Sequence, residues 1–128
     1  MEEKKIHLKS LAEGRWFTFS FEEQMGNIGS EIGRTINAFK INDIGRQNSC
    51  FERAIELFRL TLEDNRWQRE ERDEVIKSRD KFIALLTDTS PEDEKVLSEL
   101  DKLDNYFLEY GIAANNNRLT KYNKVQKY

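Results

Sequence analysis

The stretch from Ser20 to Lys40, SFEEQMGNIGSEIGRTINAFK, decides how this chain folds. Ser20 is a helix N-cap residue and Glu23 stands three residues on as its capping-box partner, so a helix starts here. Phe21, Met25, Ile28, Ile32, Thr35 and Phe39 then recur at steps of four and three, with Ile36 widening the seam, which is the pattern of a helix laid along a bundle. Gly26, Gly29 and Gly33 interrupt the same run. A glycine inside a helix costs about 1 kcal/mol relative to alanine. Three of them on one face predict a compensating close approach of another backbone, and the expectation is that a second copy of the chain supplies it. Beside the strip, Gln24, Asn27, Glu31 and Arg34 form a polar edge suited to fixing register by hydrogen bonds.

Outward from this helix, Pro91 is the only proline and the strong breakers are widely spaced, which leaves room for four long helices joined by short turns. Residues 1–19, with Trp16, Phe17 and Phe19, lack a helical period and read as an extended aromatic lead-in that folds back on the bundle. The turn at Asn42, Asp43, Ile44 and Gly45 reverses the chain, with Gly45 tolerating positive φ. The second helix faces inward with Gln47, Cys50, Phe51, Ala54, Leu57, Phe58, Thr61 and Leu62, flanked by Ile55 and Leu60. The third is densely charged, with Trp67, Val75, Phe82, Ile83, Leu85 and Leu86 on its apolar side. Ser90 as cap and Pro91 at the first helical position predict the start of the fourth, and Asn115, Asn116 and Asn117 predict its end. The fold class is therefore all-α, an up-down-up-down four-helix bundle over residues 20–115 with a basic tail over 116–128.

Composition narrows the chemistry. The 128 residues carry a net charge of −3, which argues against a surface that coats nucleic acid throughout. Cys50 is the sole cysteine, so no intramolecular disulfide and no thiolate zinc site forms, and a cytoplasmic location is expected. No apolar run of signal-peptide or membrane-span length occurs, so no membrane association is expected. His7 is the only histidine, and no Glu-x-x-His pair exists for a di-iron site, so no metal and no cofactor is expected. Cys50 lies on an apolar face without an activating histidine and reads as a small buried hydrophobe. The chain reads as a non-enzymatic binder.

Two groups of residues carry the binding reading. Arg46 and Arg53 are seven apart on the second helix, and Arg34 comes near if the first two helices close as a hairpin, so three guanidinium groups can grip phosphate or carboxylate. After Glu109 no acid occurs, and Arg118, Lys121, Lys124 and Lys127 with Tyr122 suit contact with an unpaired nucleic-acid strand.

Asn27 to Arg34 on the first helix, followed by Phe51 to Leu57 on the second, resembles an uncharacterised family of small bacterial helical proteins. More remotely it is similar to the four-helix-bundle group of ribosomal-RNA intervening-sequence proteins and the accessory proteins of diversity-generating retroelements. In the retroelement group the bundles assemble into basic rings that bind nucleic acid and a reverse transcriptase. The resemblance implies a homo-oligomeric adaptor with RNA or DNA, or a reverse-transcriptase ribonucleoprotein, as partner. The alternative is a structural or regulatory bundle whose partner is another protein, without nucleic acid.

Overall fold

In a computed structural model of the chain, the described residues run from 14 to 126, with side-chain detail through residue 120. Trp16–Thr18 forms a short 3-10 turn, and four α-helices follow: α1 (Phe21–Lys40), α2 (Ile44–Glu63), α3 (Arg69–Leu86) and α4 (Glu94–Gln126). No strand occurs among the described residues. Helix α1 packs on both α2 and α4, and α3 contacts the same two helices, which is compatible with a bundle. Trp16, Met25, Ile28, Ile32, Phe58, Phe82, Leu100 and Phe107 close the core between them.

Helix α1 starts where its cap dictates. The Ser20 hydroxyl accepts the Glu23 N–H at 3.1 Å and the Glu23 carboxylate accepts the Ser20 N–H at 3.1 Å. Its expected seam is buried from Met25 to Phe39, with Phe21 half-buried, but Gln24, Glu31 and Ala38 are buried too. Gln24, Ile28, Glu31 and Thr35 follow one another at steps of four, three and four, so they share the α2-facing side. The expected polar edge is therefore split: Gln24 and Glu31 turn inward, and Asn27 and Arg34 stay exposed.

Elsewhere several boundaries move. The lead-in is not extended where it is described, because Trp16 is drawn into a 3-10 turn and its indole N–H donates to the Thr61 hydroxyl at 3.1 Å. Residues 1–13 lie outside the described residues, His7 among them. Asn42, not Gly45, takes the left-handed backbone between α1 and α2, with φ of 59°, and Asp43 then caps α2 by accepting the Arg46 N–H at 3.2 Å. Trp67 precedes α3 instead of lying on it. Ser90 and Pro91 make a turn, the Ser90 hydroxyl accepting the Glu92 N–H at 3.2 Å. The Asp93 carboxylate, accepting the Lys95 N–H at 2.9 Å, is the cap that starts α4.

At its far end, α4 runs through Asn115, Asn116 and Asn117 to Gln126. An interior asparagine costs only about 0.7 kcal/mol, and a helix already under way gains one bond per added residue. The expected boundary at residue 115 marks the last burial among the described side chains, at Ala114, and not the end of the helix.

The glycine strip meets α4 of the same chain. A Cβ on Gly26 would lie 3.0 Å from the Gly111 Cα, one on Gly29 would lie 2.7 Å from the Phe107 Cβ, and one on Gly33 would lie 3.4 Å from an Asp104 carboxylate oxygen. This face is spent on intrachain packing, which corrects the expectation that a second copy occupies it. A Cβ on Gly111 meets nothing within 4 Å. Alanine at the two positions therefore acts oppositely. Gly29→Ala must push α4 away and is expected to destabilise by about 1–2 kcal/mol net of its better helix propensity. Gly111→Ala gains propensity without a clash and is expected to stabilise by up to about 1 kcal/mol. Urea unfolding of the two variants and the parent checks both signs.

Candidate functional site

Glu31 is the centre of the site. It reaches the α1–α2 seam because it shares a helix face with Ile28 and Thr35, and its side chain is only 6% exposed. An isolated carboxylate there would lose several kcal/mol of hydration. Two guanidinium groups offset the loss. Arg34, one turn on along α1, donates from Nη1 to Glu31 Oε1 at 2.9 Å, and Arg53 of α2 places Nη2 3.0 Å from the same oxygen. The other oxygen, Oε2, is buried and has no hydrogen-bond partner among the described residues. The three side chains sum to one positive charge.

Such a triad can hold a second oxyanion. Each guanidinium carries five donors in a planar fork, and each spends one nitrogen on Glu31. The Arg34 side chain is 53% exposed and that of Arg53 25%, so the pair is anchored from behind and reachable from outside. Arg34 also borders a groove of about 390 Å³ between α1 and α4, with Ser30, Asn37 and Asp104.

No protein-family model, curated protein or solved structure matches the chain.

Of the residues singled out in the sequence, Arg34 and Arg53 come together and Arg46 does not join them. It is exposed in the first turn of α2, and its side chain makes no ion pair with the described residues. Arg118 is exposed on α4, its Nη2 3.9 Å from Glu23 Oε2. Lys121, Tyr122 and Lys124 lie on α4 with side chains outside the described residues, and Lys127 lies outside them altogether. Glu31 was legible as part of a polar edge that fixes register, but not as a buried acid. The signal for its burial was its place in the four-three-four series with Ile28 and Thr35.

A second polar cluster, which sequence reasoning did not assemble, ties the lead-in to the bundle. Gln24 donates from Nε2 to the Trp16 carbonyl at 3.0 Å and to Asp64 Oδ2 at 2.9 Å, and its Oε1 accepts the Trp67 indole N–H at 2.9 Å. Arg66 clamps Asp64 through Nε at 3.0 Å and Nη2 at 2.7 Å, reaches the Phe19 carbonyl at 2.6 Å, and stacks 4.4 Å above the Trp67 ring. Every buried polar group of the cluster has a partner, so it rigidifies one end of the bundle.

Hydrogen bonds from Arg66, against the effect of burial, hold the Asp64 carboxyl below the usual range. Its folded pKa thus lies below its unfolded one. The stability it adds is complete above the unfolded carboxylate value of about 3.9 and is lost as pH falls through the folded value. Urea midpoints measured from pH 7 downward should drop more steeply below about pH 4 for the parent than for Asp64→Asn, whose offset from the parent shrinks with acid.

The remaining polar features favour no reaction. Burial, then a hydrogen bond to Glu74, drives the Tyr106 phenol far above its ordinary pKa, and burial also raises that of Tyr110, so neither is a base. Cys50 is buried. Among the described residues no three His, Cys, Asp or Glu side chains group as a metal site, and no helix is long and apolar enough to cross a membrane.

Glu31 yields a stability contrast. Arg53→Ala strips the more buried of its two counter-ions and is expected to cost about 2–4 kcal/mol, whereas Arg34→Ala, half in water, is expected to cost under about 1 kcal/mol. Equilibrium urea unfolding of both variants checks the order, and equal losses would show that the two guanidiniums are interchangeable.

Proposed function

We propose that this protein is a non-enzymatic, cytoplasmic, homo-oligomeric adaptor that binds an anionic partner, with RNA as the favoured one. The reading takes the fold as an up-down-up-down bundle. In its support, residues of α4 that meet α1 fall in descending order, Gly111 with Gly26, Phe107 with Gly29 and Asp104 with Gly33. A remote relationship to the ribosomal-RNA intervening-sequence and retroelement accessory bundles belongs to the same proposal, on the strength of the residues between Asn27 and Arg34 and between Phe51 and Leu57.

The observation that carries the reading is the form of the basic C-terminal segment. Positions 118, 121 and 124 ride on a continuous helix past Ala114, with no acidic residue after Glu109. A helix holds these charges at regular intervals of a few ångströms, close to the phosphate spacing of an extended strand. Arg34 and Arg53 add an anchored pair of forks elsewhere on the molecule. The remaining surface is acidic enough to confine anion binding to these patches.

A gel-shift titration with single-stranded RNA tests the proposal. Four phosphate contacts on a single strand give a slope of about −3 in log affinity against log salt. Joint replacement of Arg118, Lys121 and Lys124 by alanine should weaken binding at least tenfold at low salt. No shift at low salt for the parent rejects the RNA reading. The second reading, a structural or regulatory bundle with a protein partner, is favoured by a different observation: Leu108, Ile112 and Leu119 stand exposed on α4. Pull-down with and without nuclease separates the two, since only RNA-bridged capture is lost.

A further inference from the structure

One face of α4 carries an apolar stripe that no described residue covers. Leu108 is 59% exposed, Ile112 52% and Leu119 51%. With Asn115 they stand at steps of four, three and four, which is one continuous helix face with the spacing of a coiled-coil seam. Gly111 lies beside the stripe, lines the groove between α1 and α4, and has open space where a side chain would be. Residues 115–120 are all exposed, so this stretch of α4 gains no burial from the described residues.

We infer that this stripe is the contact surface between two copies of the chain, which pair α4 against α4 in antiparallel register with Leu108 of one copy opposite Leu119 of the other. The register follows from the spacing. Aligning Leu108 with Leu119 also brings Ile112 opposite Asn115, so the face is complementary to itself under a two-fold rotation, as an isologous interface requires. Gly111 lets the second helix come close beside the axis.

Charge selects the antiparallel orientation. Between residue 101 and Ile112, the stretch that this register overlaps, the helix carries Asp101, Asp104 and Glu109 against the single Lys102, and Asp104 and Glu109 have no ion pair among the described residues. After it the charges at positions 118, 121 and 124 are all positive. Antiparallel pairing sets the net acidic half of one α4 along the basic half of the other, with position 118 level with Glu109 of the second copy. Parallel pairing would set like charge on like. In the same register positions 121 and 124 fall off the seam, so pairing leaves them open to a nucleic acid.

This inference rests on the self-association half of the proposed function and is independent of the anion. Sedimentation of the full, nuclease-treated chain between about 1 µM and 1 mM should show a concentration-dependent dimer. Leu108→Glu and Leu119→Glu should each raise its dissociation constant at least tenfold with helicity unchanged, since both side chains are half in water. Orientation is read by cross-linking. Leu108→Cys mixed with Leu119→Cys should form a disulfide-linked dimer under mild oxidation, whereas either variant alone should not, because like positions stand about 16 Å apart in this register. A monomer at every concentration, a dimer indifferent to both glutamates, or cross-linking of each cysteine variant with itself would overturn the interface. A monomer that still shifts RNA overturns only this interface, and a dimer that shifts no RNA overturns only the nucleic-acid reading.

Discussion

The near-contact of α1 and α4 at Gly26, Gly29, Gly111 and Phe107 sets the spacing on which the rest of the bundle depends. Two helix axes approach this closely only where side chains are missing, and here the missing side chains let Phe107 lie directly on α1. That placement stacks Phe107 edge-on to Phe58 of α2, and Phe58 in turn lies beside Phe82 of α3. One glycine contact is thereby transmitted through three aromatic rings to all four helices. Widening it by a methyl group would disturb each ring in the chain.

On its opposite flank α1 uses a different means to the same end. Gln24 and Glu31 are polar residues buried toward α2, and each is held by charge-assisted contacts that only one register satisfies. Buried polar groups add little net stability, but they penalise a shifted helix heavily, because a slip would strand a carboxylate or an amide without partners. The first helix is thus positioned by close approach on one side and by polar matching on the other. The Glu31 triad is a by-product of that matching. The guanidiniums that neutralise the buried acid are the ones whose remaining donors face outward.

The basic end of the chain acquires its meaning from the helix that carries it. A disordered tail would contribute charge alone, whereas positions 118, 121 and 124 ride on α4 and are spaced by the helix. The same continuity exposes Leu108, Ile112 and Leu119 along one line.

Much of this was legible in local sequence, because the deciding interactions there are local. The Ser20 and Glu23 cap, the α1 seam from Met25 to Phe39 and the inward face of α2 depend on neighbours within one or two helical turns, and periodicity reveals them. The asparagines at 115–117 and the Ser90-Pro91 pair misled because local propensities of a few tenths of a kcal/mol yield to a helix already propagating and to a better cap at Asp93. What only the tertiary structure decided was pairing across helices. Nothing near Glu31 in the chain tells that Arg53 will meet it, nothing near Gln24 names Asp64 and Trp67, and nothing near Gly26 says that Gly111 of the same chain, and not another molecule, will fill the gap. Sequence determined which faces are dry, small or charged; the three-dimensional packing alone decided which of them meet, because that choice is made by competition among distant segments for the same few ångströms of space.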